Sequence, residues 1–234
     1  MSTGKLNQYG DSFVPTGSGH GVDISSQRQD ELDLESLKAI QERAQKEIPT
    51  AAVDLGGGFG THAVKMFQAG ASVTMIDIND IAKEVFAKAA AQTPARADEL
   101  TFLQKDFKDI TPGDLPERID ILYSQRAIHY LRYEEARRVL SMMRRRMPKN
   151  GIAFISAAGY DTEYGLTTPG RERPIEERFG TIAPEMREKH GIHHGITLYK
   201  KEELVELLGS AGFSVTRIAA SSFGNIKAIA PVTP

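Results

Sequence analysis

The sequence contains no cysteine. Disulfides, thiolate metal ligands and thiol nucleophiles are therefore excluded. It also lacks any run near the roughly 18 apolar residues that cross a bilayer, and no apolar stretch follows a basic start as in a signal peptide. Neither sign of charge predominates. The formal net charge is −2, so no global field draws the chain to nucleic acid or anionic lipid, and such an affinity would need a local patch. No segment ends in Gly-Lys-Ser/Thr, as the phosphate-cradling loop of nucleotide hydrolases does. Internal repeats are missing as well. What these absences leave is a cytoplasmic enzyme or binding protein. The 234 residues have room for one large α/β domain, or for one domain with an elaborated loop region.

Residues 1–25 read as a mobile arm. Polar, glycine-rich stretches such as Gly17-Ser18-Gly19-His20-Gly21 carry no periodic apolar face, although Tyr9, Phe13 and Val14 can dock on something. From about Gln27 to Glu47 the residues Leu32, Leu34, Leu37, Ile40 and Ala44 recur near helical spacing until Pro49. Strands and helices then alternate. Strands are expected at Ala51 to Leu55, Ala71 to Ile76, Leu100 to Leu103, Ile119 to Tyr123 and Gly151 to Ser156. Helices are expected at Thr61 to Ala69, Ile81 to Ala91 and Tyr133 to Met147. This order implies a parallel sheet covered by helices on both faces.

The rhythm breaks over about 158–197, which is rich in charge, glycine and proline. Only 174–189 suggests helix there, with Pro184 interrupting it. So long a stretch without a clear strand reads as a lid or substrate-recognition insert within a single domain spanning 26–234. A helix from Lys201 to Leu208 follows. Strands at Ser214 to Ile218 and Asn225 to Ile229 are close enough to form an antiparallel hairpin.

The chemistry concentrates at Val53-Asp54-Leu55-Gly56-Gly57-Gly58-Phe59-Gly60. A strand, a glycine turn and a helix place backbone N–H groups where a nucleotide-like ligand can approach. The dinucleotide fingerprint wants glycine, or sometimes alanine, at its sixth position, and counting from Gly56 that position is Thr61. The segment instead resembles the first motif of class I S-adenosylmethionine-dependent methyltransferases, Asp-x-Gly-x-Gly-x-Gly, through Asp54, Gly56, Gly58 and Gly60. The resemblance runs to about Lys149 and more loosely to the C-terminal hairpin. It implies a doubly wound seven-stranded sheet of order 3-2-1-4-5-7-6 with strand 7 antiparallel. It also implies a cofactor, S-adenosylmethionine, and a set of contacts. Asp77 would receive the ribose hydroxyls and Ile78 would pack on adenine. Asp106 would read the adenine amino group beside Phe107, and the stretch from Ser124 through Gln125 to Leu131 would line the methyl-donating centre.

A carboxylate suits vicinal hydroxyls because it accepts through both oxygens. Facing a cleft, Asp77 is expected to hold little else together. Methyl transfer needs alignment more than acid–base machinery. His129 is nevertheless the candidate base, since an unperturbed imidazole pKa near 6.5 suits proton removal, with Tyr130 beside it to orient the acceptor. Asn/Asp-Pro-Pro-aromatic, which follows strand four in methyltransferases acting on nucleobase amines, is replaced by Ser124-Gln125-Arg126-Ala127. The expected acceptor is thus a small molecule at an O, N or C atom. The alternatives are methylation of RNA or protein, a cofactor-binding sensor without turnover, transfer of another part of the cofactor, and a nicotinamide oxidoreductase. No metal is expected, because His190, His193 and His194 lack a carboxylate at an orthodox ligand spacing. The arginines from Arg132 to Arg146 read as a solvated helix side with Glu134 and Arg138 at ion-pair spacing, not as a nucleic-acid face. Tyr160, Tyr164 and Phe179 either build an aromatic acceptor pocket or anchor the insert. Oligomeric state is not legible.

Overall fold

The computed structural model describes residues 14–15, 18–23 and 29–232. Most of the expected arm, with Tyr9 and Phe13, lies outside the described residues. Seven strands form one sheet: β1 (Ala51–Leu55), β2 (Ser72–Asp77), β3 (Leu100–Gln104), β4 (Ile121–Gln125), β5 (Ile152–Ala157), β6 (Arg217–Ala220) and β7 (Ile226–Pro231). Their order is β3-β2-β1-β4-β5-β7-β6, with β7 antiparallel to both neighbours, as the resemblance implies. The helices are α1 (Glu31–Ala44), α2 (Thr61–Gln68), α3 (Lys83–Gln92), α4 (Tyr133–Arg145), α5 (Glu163–Leu166), α6 (Pro184–His190) and α7 (Lys201–Ser210).

Alternation along the strands sorts the core into two layers. Val53, Leu55, Ile76 and Leu122 pack with Val139, Leu140 and Met143 of α4 and with Leu204 and Leu207 of α7. Ala52, Val73, Met75, Ile121 and Tyr123 face Leu32 and Ile40 of α1 and Met66 and Phe67 of α2. Asp54 pairs in register with Met75 and Tyr123, so its side chain belongs to this second face. At the opposite end of the sheet, buried Asp120 receives Arg43 at 2.7 Å, Arg118 at 2.8 Å and the Ala51 N–H at 3.1 Å. That network fixes the start of β1 against β4.

Three local expectations need correction. Leu34 is 54% exposed, and Asp33 and Ser36 take the buried face of α1 instead. The helix is set by its N-cap: Asp30 accepts from the N–H groups of Leu32 and Asp33, and Asp33 accepts the Asp30 N–H in return at 2.7 Å. Pro184 starts α6 rather than interrupting a helix, since proline needs no N–H donor at the first helical position. The sixth strand begins three residues later than expected. Ser214 and Thr216 still donate to Pro231 and Ile229 on β7 at 2.8 and 3.0 Å, so the pairing extends below it. The insert carries its own apolar cluster, including Tyr160, Tyr164, Ile182, Ile192 and Ile196.

Candidate active site

The ends of β1, β2, β3 and β4 open into a cavity of about 440 Å³. It sits where the strand order reverses between β1 and β4, the usual ligand crevice of an open α/β sheet. The β1–α2 turn forms its floor. Gly56, Gly58 and Gly60 all hold positive φ. At Gly56, φ is +80° and an added Cβ would stand 2.3 Å from Ala127 Cβ, so only glycine lets the turn lie against the chain leaving β4. Helix α2 then starts after its N-cap Gly60, which offers no side-chain cap and leaves the first N–H groups for a ligand or water.

Asp77 closes the turn. Its Oδ2 accepts the Gly58 N–H at 2.9 Å, and its Oδ1 accepts from the Asn79 backbone N–H at 2.8 Å and the Asn79 amide at 3.1 Å. The carboxylate therefore holds more together than its strand-end position suggests. Ile78, Asp106 and Phe107 line the same wall. Asp106 caps the short turn after β3 through the Lys108 N–H at 3.0 Å and pairs with Lys108 Nζ at 3.2 Å. Gln125 also lines the cavity, with its amide nitrogen donated to Asp30 at 2.7 Å.

A polar cluster at the α1 side is not legible in sequence. Tyr123 Oη donates to Asp33 Oδ1 in a buried contact, and the His62 ring stacks on Tyr123 with centroids 4.0 Å apart. His62 Nε2 in turn meets Ser36 Oγ at 2.9 Å. Burial raises the Asp33 pKa above its ordinary value, and burial with Lys65 nearby lowers His62 to about 4. With Asp54, the Asp33, His62 and Tyr123 members of this cluster line the cavity.

The other end is aromatic. His129 and Tyr130 sit on a short turn after β4, as expected, and both line the cavity. His129 is not the near-neutral base that the sequence suggests. Burial first, then the charge of Arg126 and the neighbouring His20, pull its pKa down to about 3. Among the described residues its Nδ1 has no hydrogen-bond partner. Burial pushes the Tyr130 phenol far up, and Tyr164 up to about 12. Over these rings lies a strap from the N-terminal region. The His193 N–H donates to Gly19 O at 2.8 Å and the Gly21 N–H to Gly191 O at 2.9 Å. His20 stacks on His194 with centroids 4.1 Å apart and meets Tyr130 edge-on at 5.0 Å. His190 instead faces Glu163 at 3.2 Å, and His193 lies 3.8 Å from Glu188. Of the insert's aromatics, Tyr164 and Phe179 line the cavity, while Tyr160 packs in the insert's own cluster.

The arginines of α4 are largely occupied locally. Arg137, not Arg138, pairs with Glu134, at 2.5 Å. Arg138 and Arg144, and Arg146 just after the helix, donate to the carbonyls of Lys108, Gly212 and Pro112 at 2.6, 2.8 and 2.9 Å. Among the described residues, no helix is long and apolar enough to cross a membrane.

The profile of a family described as a methyltransferase domain matches residues 52–151. Among solved structures, the 1,6-didemethyltoxoflavin-N1-methyltransferase of Burkholderia thailandensis superposes with a TM-score of 0.60 at 15% identity, over 88% of this chain and 80% of that one. An S-adenosylmethionine-dependent methyltransferase from Clostridium acetobutylicum gives 0.61 at 9% identity, over 90% and 95%. The CcbJ methyltransferase from Streptomyces caelestis gives 0.61 at 12%, over 91% and 96%. At such identities the likeness speaks for the fold. No curated protein matches the sequence. The chain thus has the class I, Rossmann-like fold, and its residues 52–151 are similar to a methyltransferase domain.

Proposed function

We propose that this chain, of class I fold, transfers a methyl group from S-adenosylmethionine to a small-molecule acceptor at an oxygen, nitrogen or carbon atom. The observation that carries this reading is the joining of three features in one cavity: a glycine turn against Ala127, an uncapped α2 start and the strand-end carboxylate of Asp77. Their chemistry fits the cofactor. Asp77 receives ribose hydroxyls, which carry no phosphate and call for no arginine. Ile78 and Phe107 enclose the adenine, and Asp106 meets its amino group. Asp54 and Gln125 face the amino-acid end.

S-adenosylmethionine supplies an electrophilic methyl on a sulfonium whose positive charge is lost during transfer. The chain's own task is alignment, worth up to roughly 7–11 kcal/mol when the reacting atoms are held in line. Tyr130 and Tyr164, both protonated at neutral pH, are wall and hydrogen-bonding groups. His129 stays neutral and buried, a wall group beside Tyr130 at the acceptor end. The strap at 18–23 and the insert exclude water above them, the role of a lid over a single domain. Small molecules are named for some of the structural neighbours, 1,6-didemethyltoxoflavin in one and magnesium protoporphyrin IX in another.

The test is incubation of the purified chain with S-adenosylmethionine and a cell metabolite extract, following S-adenosylhomocysteine by mass spectrometry. Release that depends on the low-molecular-weight fraction is the expected result. Tight cofactor binding without release would favour a sensor, and dependence on the macromolecular fraction would favour RNA or protein as acceptor.

A further inference from the structure

The cavity wall holds three cations: Lys65, Lys108 and Arg126. Lys108 is paired with Asp106. Lys65 stands on α2 at the His62 end, where its charge helps keep that ring neutral. Arg126 is different. It follows β4 directly, its backbone N–H held by Ser156 O at 3.2 Å and Ser156 Oγ at 2.9 Å. Its φ is +53°, a left-handed conformation that a non-glycine residue adopts only at a cost. Among the described residues, its guanidinium makes no ion pair with a carboxylate and donates no side-chain hydrogen bond.

Arg126 lines the cavity together with His129, Tyr130 and Tyr164, and its charge acts on them. It lowers the His129 pKa and opposes the rise at Tyr130 and Tyr164, the rings at the acceptor end. Asp33 also senses it, but that carboxylate is engaged by Tyr123 and the Asp30 N–H. A half-buried guanidinium with no carboxylate in ion-pair contact carries a desolvation cost that a bound anion would offset. Its planar fork matches a carboxylate through two parallel hydrogen bonds. The surrounding wall of Tyr130, Tyr164, Phe179 and His20 favours a flat ring.

We propose that the acceptor is a planar aromatic compound bearing a carboxylate, and that Arg126 is the specificity-determining residue that meets that carboxylate. This rests on the methyltransferase reading of the cavity. It adds the acceptor's charge, which that reading leaves open.

Calorimetric titrations of the full chain saturated with S-adenosylhomocysteine test it. The probes are benzoate, naphthalene-2-carboxylate and anthracene-2-carboxylate, each against its neutral carboxamide. At least one acid should bind about ten- to a hundredfold more tightly than its amide, the range for a charge-assisted pair. Arg126→Met should abolish that preference, and Arg126→Lys should retain part of it. Separate titration of S-adenosylhomocysteine into wild type and Arg126→Met shows whether the variant folds and where the arginine acts. Equal cofactor affinity with loss of acid preference supports the proposal. If no acid outbinds its amide, or Arg126→Met keeps the preference, the proposal is overturned. If Arg126→Met chiefly weakens S-adenosylhomocysteine, the arginine serves the cofactor and the proposal is likewise overturned. Failure of wild type to bind S-adenosylhomocysteine at all would remove the methyltransferase reading itself, a result distinct from these.

Discussion

Replacing Asp77 with alanine removes two kinds of interaction at once. Its carboxylate accepts from Gly58 and from both donors of Asn79. With cofactor bound, it also receives the ribose hydroxyls under the proposed function. Hydrogen bonds to a charged group are worth about 1.5–3 kcal/mol, so loss of the ribose contact alone should weaken S-adenosylhomocysteine binding by about 10- to 150-fold. The Gly58 N–H would lose its acceptor in the same step, and the unliganded protein should be less stable by roughly 1–3 kcal/mol. Asp77→Asn separates the two effects. It can keep an oxygen toward Asn79 but turns an amide donor toward the Gly58 N–H or the ribose. Its stability should fall between wild type and alanine while binding remains poor. Calorimetry with S-adenosylhomocysteine and urea denaturation without it measure both quantities. Full affinity in a folded Asp77→Ala protein would refute the assignment of this carboxylate to the cofactor.

Three other outcomes are expected. Gly56→Ala should lose about 2–4 kcal/mol in urea denaturation, from left-handed strain and the clash with Ala127, and adding Ala127→Gly should recover only the clash component. His129→Asn should lower kcat by no more than about 10-fold, the value of a neutral hydrogen bond, whereas a loss of 100-fold or more with a rate limb near pH 6.5 would restore the general-base role. Stability should also fall as pH drops from about 6.5 toward 4. His20 and His62 are held neutral to about 4 and His129 to about 3, while the same imidazoles in the unfolded chain protonate near 6.5. Through these three imidazoles the unfolded state binds up to three more protons in this window, each contributing a slope of roughly 1.4 kcal/mol per pH unit, and His190, also lowered by burial, acts in the same direction. Asp33, raised by burial, takes a proton in the fold and offsets part of it. A urea midpoint unchanged between pH 7 and 4.5 would contradict this.

The parts of the fold that are legible in sequence are those encoded over a few residues. Gly56 to Gly60 announces a strand-to-helix turn, and the apolar runs flanking it locate β1 and α2 almost to the residue. Asp77, Asp106 and Gln125 can be picked out at or just past strand ends, and the three line one cavity. What sequence does not reveal depends on distance in the chain. Asp33 and Tyr123 lie far apart in sequence, and Leu34 has the spacing of a buried residue, yet the capping geometry of Asp30 turns Asp33 inward instead. The His129 pKa escapes sequence for the same reason. Its value is set by burial, by Arg126 and by a strap carrying His20, and no local motif reports these neighbours. The backbone strain at Arg126 is equally silent in sequence, since arginine gives no warning of a positive φ.

Occupation of the cavity at the β1–β4 switch by S-adenosylmethionine underlies every functional statement above. Calorimetric titration of the full chain with S-adenosylmethionine, S-adenosylhomocysteine, NAD and NADH decides it. Both sulfur compounds should bind one-to-one, with binding lost or strongly weakened in Asp77→Ala, and neither nicotinamide should give comparable heat. Binding of NAD or NADH in preference to S-adenosylhomocysteine would contradict the cofactor assignment and the methyl transfer that depends on it.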